Sequence, residues 1–174
     1  DMAEDPAKPF VFLFDMSMLG VGVGFDTKGS GTVQIVGPSS LSKRYTIDDS
    51  REGWSHSVYL LLDSYFCGSP KAEFDYSQIR PAGSPLVHFG GTAAGHEPLK
   101  ALHEDIVSLL DMDIGNLINT VHICDIMNMI GKCVIAGNIR RTAEIALCES
   151  TSPDFEDFLD LKNYDVNPHR AEYG

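Results

Sequence analysis

Long hydrophobic runs are missing from this sequence. The longest, such as Phe10–Phe14 and Leu60–Leu62, fall far short of the roughly 20 apolar residues that a membrane-crossing helix needs. A basic leader is missing as well: Asp1-Met2-Ala3-Glu4-Asp5 is acidic where a secretory n-region would be basic. Positive charge is scarce. Thirteen Lys and Arg stand against 25 Asp and Glu, for a formal net charge of −12. That balance argues against a nucleic-acid polymer and against an anionic membrane surface, since both call for a basic face. It leaves room for a single nucleotide, which needs only two or three local donors. Cysteine is sparse and unpatterned: Cys67, Cys124, Cys133 and Cys148 form no Cys-x-x-Cys and no disulfide framework. They read as reduced core thiols of an intracellular protein, with cytoplasmic localisation the expectation. His122 and Cys124 are two apart, on different faces of a helix, so zinc is not expected. No Walker A lysine, nucleophile elbow or carboxylate pair stands out.

What is present is an ordinary globular composition. The chain has 174 residues, 43% hydrophobic and 22% charged, enough for one domain or a piece of a larger one. It starts at Asp1 rather than Met and stops at Gly174 after a polar stretch, so the expectation is a segment of a longer protein.

Hydrophobic periodicity sets out the elements. Pro9–Leu19 is strongly apolar and predicts a buried helix, ended by glycines at 20, 22 and 24. Val21, Val23 and Phe25 alternate with those glycines and predict a short strand packed where side chains must be absent. Thr32–Val36 is β-branched and predicts a second strand, followed by a loop over 37–40. From Asp49 to Phe66, Trp54, Val58, Leu61, Leu62 and Tyr65 share one helical face, and Asp49 and Glu52 have capping-box spacing. Cys67-Gly68-Ser69-Pro70 stops that helix. Glu73–Arg80 alternates and predicts a strand. Leu99, Leu102, Ile106, Leu109 and Leu110 mark an amphipathic helix. Asp113–Ile135 is apolar nearly all round and predicts a central buried helix, broken at Gly137. Thr142–Cys148 alternates as a strand with Ala143, Ile145 and Leu147 on one face. A last helix starts near Pro153, with Phe155, Phe158 and Leu159 as its apolar face, and 163–174 is a polar exit. Helices alternating with short strands make the class α/β, with a barrel or layered sheet favoured over a doubly wound one.

Two loops carry chemistry. Pro81–Pro98 holds Gly83, Gly90, Gly91 and Gly95 and is long for a connection without a job. Its backbone N–H groups could form a concave anion site ahead of a helix N-terminus, and Arg80 could add a fork of donors to phosphate. The alternative is a wide turn that needs glycine for positive φ. The second loop is Ala136-Gly137-Asn138-Ile139-Arg140-Arg141-Thr142. Arginine there could reach a phosphate or a base edge, or Arg140 and Arg141 could be solvated charges favoured at a helix C-terminus. Gly20-Val21-Gly22-Val23-Gly24 follows a helix and opens a strand, the reverse of a dinucleotide fingerprint. His88, His96 and His103, in or near the first loop, read as structural or exposed.

Five blocks occur in one order: Phe12-Leu13-Phe14-Asp15 with Gly20–Phe25; Asp49-Ser50-Arg51-Glu52-Gly53-Trp54; Ile79-Arg80-Pro81-Ala82-Gly83; Phe89-Gly90-Gly91-Thr92-Ala93-Ala94-Gly95; and Gly131–Glu144. Together they resemble the adenosylcobalamin-dependent ribonucleotide reductases, and the Arg-Glu-Gly-Trp segment resembles the monomeric, triphosphate-using branch. The resemblance implies part of a ten-stranded α/β barrel: a barrel helix and strand over 1–25, an insertion over 26–72 that completes an effector site, and a barrel segment with two specificity loops over 73–174. It implies thiyl-radical reduction of ribonucleoside triphosphates with adenosylcobalamin as cofactor, a deoxynucleoside triphosphate effector, a thioredoxin-like reductant and a monomeric full-length protein. Arg80, Ser84, Gly90 and Gly91 match effector-binding positions. Gly137, Asn138, Arg140 and Arg141 match the loop that relays effector identity to the substrate base, with Arg140 the relay arginine. Trp54 is expected to anchor the insertion by packing. The family's catalytic cysteines match none of Cys67, Cys124, Cys133 and Cys148, so no catalytic residue is assigned. A non-catalytic nucleotide-sensing module is the alternative.

Overall fold

The computed structural model describes Met2 and residues 4–86, 91–137 and 143–171. In chain order the elements are α1 (Lys8–Met18), β1 (Val23–Asp26), β2 (Ser39–Thr46), α2 (Arg51–Cys67), β3 (Pro70–Asp75), α3 (Glu97–Asp111), α4 (Thr120–Ala136), β4 (Glu144–Leu147), α5 (Phe155–Asp160) and α6 (Pro168–Ala171). The α/β class is thus observed. The described strands form two separate parallel pairs, β1 with β4 and β2 with β3. β2, α2 and β3 make a compact β-α-β unit. The β1–β4 pair is joined by everything between them.

The core is built by helices. Phe10, Leu13 and Phe14 of α1 meet Val58, Leu61 and Leu62 of α2, while Ile126, Ile130 and Val134 of α4 pack between α1 and α3. Leu99, Leu102, Ile106 and Leu110 give α3 its buried stripe. Each of these large side chains, taken fully out of water, stabilises the fold by about 2 kcal/mol. α1 is less enclosed than its composition predicts, since Phe12 and Leu19 remain exposed.

Several boundaries differ from expectation for identifiable reasons. Ser50, not Asp49, caps α2: its side chain accepts the Gly53 N–H at 3.0 Å. At the other end Gly68 takes φ +69°, a left-handed C-cap that glycine adopts without strain. Thr32–Val36 forms no sheet strand. It runs antiparallel to the α3–α4 connection, with Ile118 N–H donating to the Val33 carbonyl and Gly115 N–H to that of Ile35. Residues 113–119 are therefore spent on that pairing, and α4 starts only at Thr120. Asn119 and His122 cap it reciprocally: the Asn119 side chain accepts the His122 N–H, and His122 Nδ1 accepts the Asn119 N–H. Ser39–Ser40 belongs to β2 rather than a loop, and the β3 strand runs over 70–75 rather than 73–80. On β4 the expected alternation is present: Ile145 and Leu147 point outward, while Glu144 and Ala146 are half-buried. In α5, Leu159 is exposed rather than buried, and the next residue to pack inward is Leu161.

Candidate functional site

A cavity of about 280 Å³ opens where four chain regions converge. The end of α1 supplies Met18 and Leu19. The start of α2 supplies Asp49, Ser50, Arg51 and Trp54. The first loop supplies Ile79, Arg80, Leu86, Ala93, Ala94 and Gly95, and Gly137 at the C-cap of α4 closes the list of walls. The interior is chiefly hydrocarbon, with a charged rim at the N-terminal end of a 17-residue helix. A concave apolar cavity beside a few convergent polar groups is the usual form of a small-molecule site, and this volume lies near the lower end of the roughly 300–1,000 Å³ such sites span.

Each wall is held for a local reason. The chain turns back over the first turn of α2 so closely that only glycine fits at 53: a Cβ there would stand 2.5 Å from the Asp48 carbonyl oxygen. That turn fixes Asp49 and Ser50 at the rim. Trp54 is buried at the base of α2, as expected of a packing anchor, and it also forms part of the cavity wall. The described parts of the first loop, 81–86 and 91–96, pair with each other. Gly83 N–H donates to the Ala93 carbonyl and Ala93 N–H to that of Ser84, both at 2.8 Å, and Leu86 N–H donates to Gly91 O. Gly95, at φ +80°, packs against Ala82, closing the neck.

Among the described residues, the amides of Gly83, Ser84, Leu86 and Ala93 donate within the loop. Ser84 also turns its hydroxyl to the Pro81 carbonyl at 2.8 Å. Ser84 and Gly91 lie on the loop but do not line the cavity. Two guanidinium groups, Arg80 and Arg51, line the cavity. Arg80 Nε donates to Asp49 Oδ2 at 2.6 Å, and Arg51 reaches Asp15 at 3.4 Å and Glu52 at 2.5 Å. Arg80 and Gly137 are thus brought to one cavity. Gly90, Asn138, Arg140 and Arg141 lie outside the described residues. Sequence reasoning missed Asp49 and Arg51 as rim residues, although both stand in the quoted Asp-Ser-Arg-Glu-Gly-Trp block.

Other chemistry-bearing side chains have structural roles. Ser57 donates to the Trp54 carbonyl at 2.7 Å, so its oxygen accepts from His103 Nε2–H at 3.0 Å. His103 Nδ1 then accepts from the Tyr76 hydroxyl at 2.8 Å. Burial keeps this imidazole neutral, with its pKa pushed down to about 3. His103 also stacks on Phe74, and Tyr76 reaches His96 beside the first loop. His122 Nε2–H donates to Asp113 at 3.0 Å. Burial pushes the thiols of Cys124 and Cys133 up to about 12, leaving them protonated and inert. Among the described residues, no group of three His, Cys, Asp or Glu is placed to hold a metal ion. No helix among them is long and apolar enough to cross a membrane.

A family model described as the insertion domain of B12-dependent ribonucleotide reductase matches residues 28–110. An adenosylcobalamin-dependent ribonucleoside-triphosphate reductase from Euglena gracilis is 50% identical over 99% of this chain and 24% of its own length. A probable enzyme of the same name from Dictyostelium discoideum is 47% identical over the whole chain and 25% of its own length. The crystal structure of a B12-dependent (class II) ribonucleotide reductase superposes with a TM-score of 0.75 at 31% identity, covering 95% of this chain and 28% of that one. The chain therefore spans about a quarter of the length of the relatives it matches.

Proposed function

This chain belongs to the B12-dependent ribonucleotide reductase family, and from that we propose that it forms the part of a ribonucleoside-triphosphate reductase that reads an effector nucleotide and sets the choice of substrate base. The whole enzyme would replace the ribose 2′-hydroxyl of a ribonucleoside triphosphate by hydrogen, supplying precursors for DNA synthesis. Residues 1–25 and 73–174 would contribute to a ten-stranded α/β barrel, and the insertion over 26–72 would complete the effector site within one chain, as suits a monomer. A thioredoxin-like protein would re-reduce the enzyme.

One observation carries the reading. A single cavity is walled by the start of α2, by Arg80 and the neck of the first loop, and by Gly137 at the entry to the second. A deoxynucleoside triphosphate there would set its base or sugar against Trp54, Ile79 and Leu86 and its phosphates against Arg80 and Arg51. Occupancy would bias the loop that starts at Gly137 and holds Asn138, Arg140 and Arg141. A coupling of about 1–3 kcal/mol is enough to change substrate preference from several-fold to about a hundredfold.

Adenosylcobalamin would supply the radical that starts the reaction. The cavity at Arg80 does not fit that cofactor: it is too small for a corrin, and its rim is an arginine–carboxylate cluster. No step of this chain is routed through it.

The test is a competition assay on the full-length protein with all four ribonucleoside triphosphates, repeated with each deoxynucleoside triphosphate added. Product ratios should change with effector in the wild type and flatten in Arg80→Ala and Arg140→Ala. Ratios that respond to effector equally in all three proteins would remove both loops from the reading. Failure of the wild type to reduce any substrate with adenosylcobalamin present would favour the non-catalytic sensing module.

A further inference from the structure

The cavity's arginines are already engaged by carboxylates, and one of those contacts is placed as a competitor for the incoming phosphate. We propose that Asp49 is a built-in counter-anion that occupies Arg80 when the site is empty and that a nucleotide's phosphate must displace. This rests on the reading of the cavity as a nucleotide site.

Asp49 Oδ2 meets Arg80 Nε at 2.6 Å, a short charge-assisted contact, and both residues line the cavity. The carboxylate holds the guanidinium at Nε, at the wall of the space a phosphate would enter. Two anions converging on one guanidinium repel each other, so the more highly charged phosphate gains by removing the carboxylate. Asp49 is poorly free to retreat. Asp48 is pressed onto Gly53, and Ser50 is fixed as the N-cap of α2. Breaking the pair thus requires either Arg80 to swing toward the phosphate or residues 48–50 to lift from the helix start. The second movement registers occupancy on α2, the helix that carries Trp54 into the core. Arg51 is also paired, with Asp15 at 3.4 Å and Glu52 at 2.5 Å, but neither of those carboxylates lines the cavity.

The competing physical account is that Asp49 orients Arg80 for phosphate, as a positioning residue would. The two accounts give opposite signs. Asp49→Asn keeps an oxygen able to accept from Arg80 Nε and removes the charge; Asp49→Ala removes both. Isothermal titration of full-length protein with each deoxynucleoside triphosphate, and separately with inorganic tripolyphosphate, reads the difference. A competitor predicts that both variants bind the tightest wild-type ligand roughly two- to fivefold more tightly, the size expected for removing one partly exposed opposing charge. Unchanged binding in both variants, or weaker binding in Asp49→Ala, overturns the proposal and leaves the nucleotide site standing. Arg80→Ala separates the two levels: if wild type binds and Arg80→Ala binds equally well, the site lies elsewhere and the underlying reading fails with the proposal. If wild type binds no deoxynucleoside triphosphate and no tripolyphosphate, both fail together.

Discussion

Gly53 and Asp48 are so close that a methyl group on Gly53 would stand 2.5 Å from the Asp48 carbonyl oxygen, well inside van der Waals contact. Replacing glycine by alanine inside a helix ordinarily stabilises it by up to about 1 kcal/mol. Here the sign should reverse. Gly53→Ala must push residues 48–50 away from α2, which disturbs the Ser50 cap and carries Asp49 off Arg80. The loss should be about 1–2 kcal/mol, the usual worth of a helix N-cap. The full-length Gly53→Ala protein should show a lower first thermal transition, and any nucleotide affinity at the cavity should change with it. A Gly53→Ala protein as stable as wild type would mean that the turn at Asp48 adjusts freely.

His103 gives a pH prediction of definite sign. Its pKa is pushed down by burial from 6.5 to about 3, while in the unfolded chain it would take up a proton near 6.5. Between those values the unfolded state binds more protons, so stability falls as pH drops through the window from about 6.5 to 3. The groups strained by that proton are Ser57 on α2 and Tyr76 after β3, which hold the two ring nitrogens. Thermal shift of the full-length protein between pH 7 and pH 4 should therefore show a steeper acid loss in wild type than in His103→Gln, which carries no titrating ring. Parallel acid profiles in the two proteins would remove His103 as a source of acid sensitivity.

How much of this arrangement could be read from the amino-acid order depended on whether the cause was local. α2 and α3 were legible because Trp54, Val58, Leu61 and Leu62, and Leu99, Leu102 and Ile106, repeat at helical spacing, and every one of them is buried. β2 was not legible. Ser39–Thr46 is polar and mostly exposed, and only its pairing with β3 makes it a strand. The stretch at 113–119 read as helix because Ile114 and Leu117 are apolar. Its backbone is instead used by Val33 and Ile35, some 80 residues earlier. Arg80 and Gly137 stood out as loop residues. Asp49 did not, since its partner lies 31 positions away and nothing local announces an ion pair of that span. The covered face of β4 was not legible for the same reason: alternation reveals two faces, and only the surroundings decide which one is covered.

Glu144 opens β4 directly after the second loop, and its Oε1 is buried with no hydrogen-bond partner among the described residues. Burial raises its carboxyl pKa from 4.5 to about 7, against a partial opposing pull from Lys162. The native state thus holds this proton between about pH 4.5 and 7 while the unfolded state has released it. Stability contributed here falls as pH rises through that window, at up to about 1.4 kcal/mol per pH unit. Hydrogen exchange in the full-length protein, corrected for intrinsic rates, should show the amides of Glu144–Leu147 losing protection between pH 5.5 and 8. Glu144→Gln should flatten that dependence. If wild-type β4 is equally protected at both ends of the range, the carboxyl is ionised throughout and its burial is relieved by another group.

Asp125 is buried in the middle of α4, and Arg170 closes on it with Nε at 2.8 Å and Nη2 at 2.9 Å. A carboxylate in that position is tolerable only while paired. Removing one partner of a buried pair costs about 3–5 kcal/mol, largely because the remaining charge is stranded. Arg170 also bonds Asn167 at 3.0 Å, so the pair ties the polar segment after α5 to the helix that ends at Gly137. Arg170→Ala should therefore loosen α4 by about 3 kcal/mol. Asp125→Asn combined with Arg170→Ala should loosen it less than Arg170→Ala alone, because no charge is left unpaired in the core. Proteolysis of the full-length protein at rising urea, followed at sites flanking residues 120–136, reads both quantities. A double variant as weak as the single one would show that the guanidinium acts by filling space rather than by neutralising Asp125, and the electrostatic account of this contact would have to be abandoned.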